Sequence, residues 1–135
     1  MSMSNTTEND VLLAMLTGTD PAWRDDVNAW IALHTADPGE AGSAVTSEAT
    51  YTSYVRVQLT RATAWTDGGS TFSNAGLIQF PQCSGGTNAI THFSVVTTSS
   101  GAGQILVSGA LSATLNVSSG IQPQFGIGDL DVNAD

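Results

Sequence analysis

The chain predicts an all-β protein, an antiparallel β-sandwich of jelly-roll type with a short N-terminal helix or arm. Three observations carry this. From Trp30 to about Val132 the apolar residues alternate in short runs, about eight in number. The runs are separated by Gly, Ser, Thr and Asn clusters that punctuate rather than continue them. No helical periodicity intervenes between them, which argues against parallel βαβ units and for a sandwich.

The elements follow in order. Residues 1–7 are polar and read as a frayed end. Thr7, three residues before Asp10, resembles a capping box with Asp in place of Glu, and Val11, Leu12, Met15 and Leu16 recur on one helical face. Gly18 is a natural stop, so the helix is expected over residues 8–17. A helix this short needs a packing partner, either its own sandwich or a neighbouring subunit. Residues 1–18 therefore form an arm for docking or subunit contact, and 19–135 the sandwich domain. Residues 20–28 read as a connector, with Trp23 plugging one end of the core. Ala29–Thr35 is the first strand, Trp30, Ala32 and His34 alternating with Ile31, Leu33 and Thr35.

Residues 36–51 are rich in small and acidic residues and read as a long irregular loop, the kind that is functional or interfacial in a small domain. Tyr54–Thr60 alternates, with Val55, Val57 and Leu59 opposite Tyr54, Arg56 and Gln58, and residues 63–66 extend it past a bulge. Asp67-Gly68-Gly69 is a turn. Thr71–Asn74 and Leu77–Phe80 are short strands, the second ended by Pro81. Ala89–Thr97 is the clearest strand, with Ile90, His92, Ser94 and Val96 on one face. Gln104–Leu111 is its hairpin partner, broken near Gly109. Leu115–Val117 and a last strand over about 124–132 complete the set.

Composition bounds the function. The 135 residues suit one domain with a real core. Net charge is -9, from 12 Asp plus Glu against three Arg and no Lys. Arg24, Arg56 and Arg61 are too dispersed to track phosphates, so neither nucleic acid nor an anionic membrane is an expected partner. No run has the length of a membrane span, and no basic leader precedes an apolar stretch, so a soluble product of a cytoplasm is expected. Charged residues make up 11% of the chain, against ~25% typically, and neutral polar residues replace them. Such faces become interfaces without stranding unpaired charges.

Candidate chemistry is thin. The single Cys83 excludes an internal disulfide and a Cys-based zinc site, and reads as a small core hydrophobe. His34 and His92 sit mid-strand and read as histidines satisfied by backbone groups. Asp25-Asp26 point apart. Asp129 and Asp131 share a strand face but lack the ligand count of a calcium site. No nucleophile elbow or phosphate loop is present. No catalytic residue, cofactor or metal is expected. The aromatics Trp23, Trp30, Trp65, Tyr51 and Tyr54 are core residues with one or two interface anchors among them.

Several segments in order carry a resemblance. Trp30-Ile31-Ala32-Leu33-His34-Thr35-Ala36-Asp37-Pro38-Gly39-Glu40-Ala41-Gly42 is followed by Glu48, Tyr51 and Tyr54-Val55-Arg56-Val57. Asn74-Ala75, Ile78-Gln79-Phe80-Pro81, Ile90-Thr91-His92-Phe93 and Val107-Ser108-Gly109-Ala110-Leu111 come next. Over about residues 28–132 this resembles small tailed-phage virion proteins commonly labelled phage tail fibre proteins. The resemblance implies an oligomeric β-sandwich component of the virion, made in the bacterial cytoplasm, with no catalytic residues to carry over. It points to the particle exterior, as a capsid decoration protein or a component of the head–tail region or fibre base. The expected partners are the major capsid protein or a tail or connector protein, and further copies of the chain, a trimer foremost. A receptor- or carbohydrate-binding fibre tip, with Trp65 and Tyr51 stacking on sugar, is the alternative. The interface candidates are Val11, Leu12, Met15, Leu16, Trp23, Asp37, Pro38, Tyr51 and Tyr54.

Overall fold

A computed structural model describes residues 1–133. The described strands are β1 (Ser2–Met3), β2 (Asn28–His34), β3 (Val57–Thr60), β4 (Trp65–Asp67), β5 (Thr71–Asn74), β6 (Ile78–Gln79), β7 (Asn88–Val96), β8 (Ile105–Val117), β9 (Gln124–Phe125) and β10 (Asp131–Asn133), with one helix, α1 (Asn5–Thr17). They form a five-stranded sheet ordered β1-β8-β7-β2-β3, a three-stranded sheet β10-β5-β4 and a two-stranded ribbon β6-β9. Every pairing is antiparallel. The all-β sandwich with a short N-terminal helix is thus as the sequence predicts. The division into five, three and two strands lends no support to the jelly-roll refinement, which needs eight strands in two Greek keys.

The long β7–β8 hairpin is the spine. Its alternation places Phe93 and Val95 with Ala29, Ile31 and Leu33 of β2, against Ile78, Phe80 and Leu130 of the smaller layer. A second, smaller cluster of Ala32, Val96, Ile105 and the loop residue Ala44 packs on the opposite side, with Trp30 beside it. Strand β2 is therefore buried on both faces.

Several boundaries differ from expectation, each for a local reason. Residues 1–7 are not frayed: β1 pairs with β8, Ser2 opposite Ser108, and joins the edge of the sheet. Ser4, not Thr7, caps the helix. Its extended backbone turns its hydroxyl to accept the Thr7 N–H, while the hydroxyls of both Ser4 and Thr7 donate to the Ile105 carbonyl. Gly18 is the left-handed C-cap, as expected. Trp23 is half-buried in neither core cluster; its indole N–H donates to Asp10 (2.9 Å) and Arg61 lies over its ring, so it fastens the connector to the helix instead of plugging the core.

The predicted strand over 54–60 begins only at Val57, because Tyr54 and Arg56 turn inward to Glu48. Residues 65–67 leave that sheet and start the smaller one. Strand β8 runs unbroken through Gly109, where a Cβ would stand 3.1 Å from the Phe93 ring across the ladder. Between the pairs Ile90↔Leu115 and His92↔Ala110 the register shifts, and Ile90 consequently joins the main core with Phe93 instead of sharing the face of Val96. A turn around Gly126–Asp129 divides the last predicted strand into β9 and β10, so Asp129 precedes β10 and does not share its face with Asp131. Asp129 accepts from the Gly126 N–H, and Asp131 from Ser73.

Candidate functional site

The loop over residues 36–51 is an ordered structure. Past Ile31, β3 no longer covers the edge of β2, and the loop takes over: Ala49 N–H donates to Leu33 O and Thr35 N–H to Ser47 O. The Tyr54 hydroxyl accepts the Leu33 N–H (3.0 Å), substituting a side chain for the missing ladder acceptor, and donates to Glu48 (3.0 Å). Glu48 is held in a bidentate pair by Arg56, at 2.6 and 2.9 Å. The same guanidinium donates to the Thr98 and Gly101 carbonyls, so it ties the loop to the β7–β8 hairpin turn. At the start of the loop Gly42 is obligatory, since a Cβ there would sit 2.0 Å from the Pro38 carbonyl oxygen.

His34 lies beneath this network, fully buried. Its Nδ1–H donates to the Thr46 carbonyl (2.8 Å), leaving Nε2 to accept the Ser94 hydroxyl (2.7 Å). The satisfied histidine is as expected, but only the Thr46 partner is a backbone group; the other is the Ser94 side chain. His92 is its cross-strand neighbour and bonds Thr91. Burial lowers the His34 pKa, outweighing the Thr46 hydrogen bond and the Glu48 charge that act the other way. The fold therefore holds the neutral ring. Its contribution is complete above the ordinary value of about 6.5 and is lost as pH falls from there toward the folded value. The expected result is a lower thermal midpoint at pH 5 than at pH 7.5, with His34→Gln flattening that slope; an unchanged slope in the variant overturns the assignment.

Apolar surface lies elsewhere. The 3.6-residue turn of α1 directs Thr7, Asp10 and Ala14 inward and Leu12, Met15 and Leu16 outward. Val11 is half-buried, whereas Leu12, Met15 and Leu16 are 54%, 73% and 77% exposed. Leu13, 37% exposed, joins them and was not singled out from sequence. The signal for it was available: Val11–Leu16 is apolar at every position, and a helix apolar all round is a helix meant for burial on both sides. A second apolar surface escaped the sequence entirely. A groove of about 630 Å³ opens between the five-stranded and three-stranded sheets, lined by Val27, Trp65, Phe72, Val107 and Val132, with Arg24 and Arg61. It exists because the short strands β4, β5 and β10 do not cover the whole face beneath them.

The other candidates stand apart. Asp37 is exposed and accepts from the Gly39 N–H, while Pro38 is buried. Tyr51 belongs to the core at 3% exposure, its hydroxyl donating to Pro81 O, and Tyr54 is half-buried. These two tyrosines are therefore internal struts, not exposed anchors. Burial pushes Tyr51 up to about 12 and also raises Tyr54, so both hydroxyls stay protonated. Trp65 lines the groove and packs against the same core cluster in which Tyr51 is buried. Cys83 is buried, its Sγ toward the Gly85 carbonyl. Among the described residues no group of three or more His, Cys, Asp or Glu side chains converges on a metal site.

A protein-family model described as podophage GP4 fiber I protein gp80 matches residues 2–133, which bears out the resemblance to phage fibre proteins. No curated protein matches the chain.

Proposed function

Because the chain belongs to the podophage GP4 fiber I protein gp80 family, we propose that it is a non-enzymatic structural component on the outside of the virion, a capsid decoration protein or a head–tail or fibre-base component, that works by protein–protein binding. The observation that carries this reading is the exposed apolar face of α1. Leu12, Met15 and Leu16 are large, contiguous and directed away from their own domain, an arrangement that monomers avoid unless the patch is used. The sandwich supplies a rigid body. The helix face and the ordered 36–51 loop supply contact surfaces toward neighbouring copies and toward the capsid, tail or connector partner. A trimer is the assembly we favour. Arg56 is engaged internally with Glu48, while Arg24, in an exposed pair with Asp20, and Arg61, bonded to connector carbonyls, line the groove, so adhesion rests on apolar and neutral polar groups with these two cations beside them. The acidic exterior repels nucleic acid.

Immunogold labelling of virions tests the address. Gold over the head identifies decoration; gold at the neck or tail identifies a fibre or connector role; unlabelled virions defeat the proposal. The contact surface is tested by the triple variant Leu12→Gln, Met15→Gln, Leu16→Gln. The three side chains contribute little to the isolated fold, so its unfolding free energy stays within about 0.5 kcal/mol of the parent while incorporation into particles is lost. Full incorporation of a folded variant defeats the helix assignment. Deleting residues 1–17 is a poorer test, because it also strips β1 from the sheet edge and the Ser4 and Thr7 hydrogen bonds from Ile105.

A further inference from the structure

The helix face and the groove belong to each other, in different copies of the chain. We propose that α1 of one copy lies in the groove of the next, a head-to-tail contact in which Leu12, Met15 and Leu16 enter between Val27, Phe72 and Val132. The inference rests on the reading of α1 as a contact surface, and names its partner.

Three observations carry it. First, of the eleven large hydrophobic side chains exposed among the described residues, six lie on these two surfaces: Leu12, Leu13, Met15 and Leu16 on the helix, and Val27 and Phe72 at the groove. Second, the spacing fits. Leu12, Met15 and Leu16 stand at i, i+3 and i+4, the anchor pattern of a helix seated in an apolar groove. Third, the charges are complementary. Arg24 and Arg61, two of the three cations of the chain, line the groove, Arg24 in an exposed surface pair with Asp20 and Arg61 bonded to the neutral carbonyls of Trp23 and Asp26, with Asp26 as the one acid among its lining residues. The helix carries Glu8 one turn before Leu12 on the same outer face, and no basic residue. Two copies of a chain at net charge -9 repel at long range, so a self-contact needs apolar area and a local cation, and the groove offers both.

The helix does not fill its own groove, since Leu12, Met15 and Leu16 are exposed. The contact joins two different patches and is heterologous. Such a contact closes into a ring when its rotation permits, as a trimer does, and otherwise extends.

Sedimentation of the full-length chain, with Leu16→Glu and Val27→Glu variants, is the first measurement. Both positions are exposed, so the fold is retained, and circular dichroism checks this. The parent is expected to be oligomeric, and each variant to raise the dissociation constant at least tenfold. Leu16→Cys and Val27→Cys chains, treated with a short bismaleimide, should give covalent dimers only when mixed; Cys83 is buried and does not interfere. A monomeric parent overturns the proposal, and so does Leu16→Cys linking to itself, which would mean that two helices face each other. The broader reading fails separately. If the parent is monomeric but the triple helix variant still abolishes particle incorporation, the groove falls and the docking helix stands. If the mixed cross-link forms and the oligomer does not incorporate, the groove contact stands and the virion role falls.

Discussion

Arg56→Ala is expected to lower the unfolding free energy by about 3–5 kcal/mol, the range for removing one partner of a buried ion pair. The Arg56 side chain is 2% exposed and that of Glu48 17%, so the guanidinium has no water to fall back on and the carboxylate only a little. The variant leaves Glu48 with only the Tyr54 hydroxyl, strips the side-chain donor from the Thr98 carbonyl, and leaves the Gly101 carbonyl with the Gly103 N–H alone. Two segments lose their fastening together, the 36–51 loop on the edge of β2 and the turn between β7 and β8. Denaturant unfolding measures the effect. Arg56→Lys retains the charge without the planar fork and should recover only part of the loss. A loss below about 1 kcal/mol, the level of an exposed pair, would show that the network is solvated and the loop held by its backbone bonds alone.

That network also marks where sequence reading reached its limit. Val57–Thr60 and Asn88–Val96 were legible because period-two alternation is a property of the strand itself. By alternation alone Arg56 is one position on the face opposite Val55 and Val57 in such a run. Its partners are Glu48, eight residues earlier, and the carbonyls of Thr98 and Gly101, more than forty residues later; no local pattern encodes a closure of that range. Strand β1 was illegible for a different reason. Two residues cannot display alternation, and their strand character comes from pairing with Ser108 and Val107. Ile90, expected on the face of Val96, lies on the other because an irregular stretch of β8 shifts the register between Ile90 and His92, and a slip by an odd number of residues exchanges the two faces. The helix face was legible in outline: the run Val11–Leu16 announces burial, and the structure shows that most of it is not buried within the domain. The groove was not legible, since it is a gap between Val107 of one sheet and Phe72 and Val132 of another.

Phe80→Ala is expected to cost about 3–5 kcal/mol, as truncations of a buried Phe do when the site cannot collapse. Phe80 is fully buried and stands in a chain of ring contacts: Tyr51 against Tyr54 at 5.4 Å, Tyr54 stacked on Phe80 at 6.3 Å, Phe80 edge-on to Phe125 at 6.3 Å, and Phe125 to Phe93 at 6.5 Å. This series runs through the core from the 36–56 segment to the β6–β9 ribbon and on to β7 in the five-stranded sheet. Collapse is obstructed on both sides. The Tyr54 hydroxyl is fixed between Leu33 and Glu48, and the backbone N–H of residue 80 donates to the Pro123 carbonyl (2.9 Å), so neither neighbour can move into the void without breaking a buried hydrogen bond. Phe80→Leu leaves a smaller cavity and should cost less than half as much. Equal losses in the two variants would show that the ring contacts, and not the filled volume, carry the energy. Phe80 and Arg56 are also coupled through Tyr54, which touches both Phe80 and the Glu48–Arg56 pair. Neighbouring sites of this kind depart from additivity. The double variant Arg56→Ala, Phe80→Ala should therefore lose less than the sum of the single losses, because once Arg56 no longer anchors Glu48, Tyr54 is free to relax toward the space that Phe80 leaves.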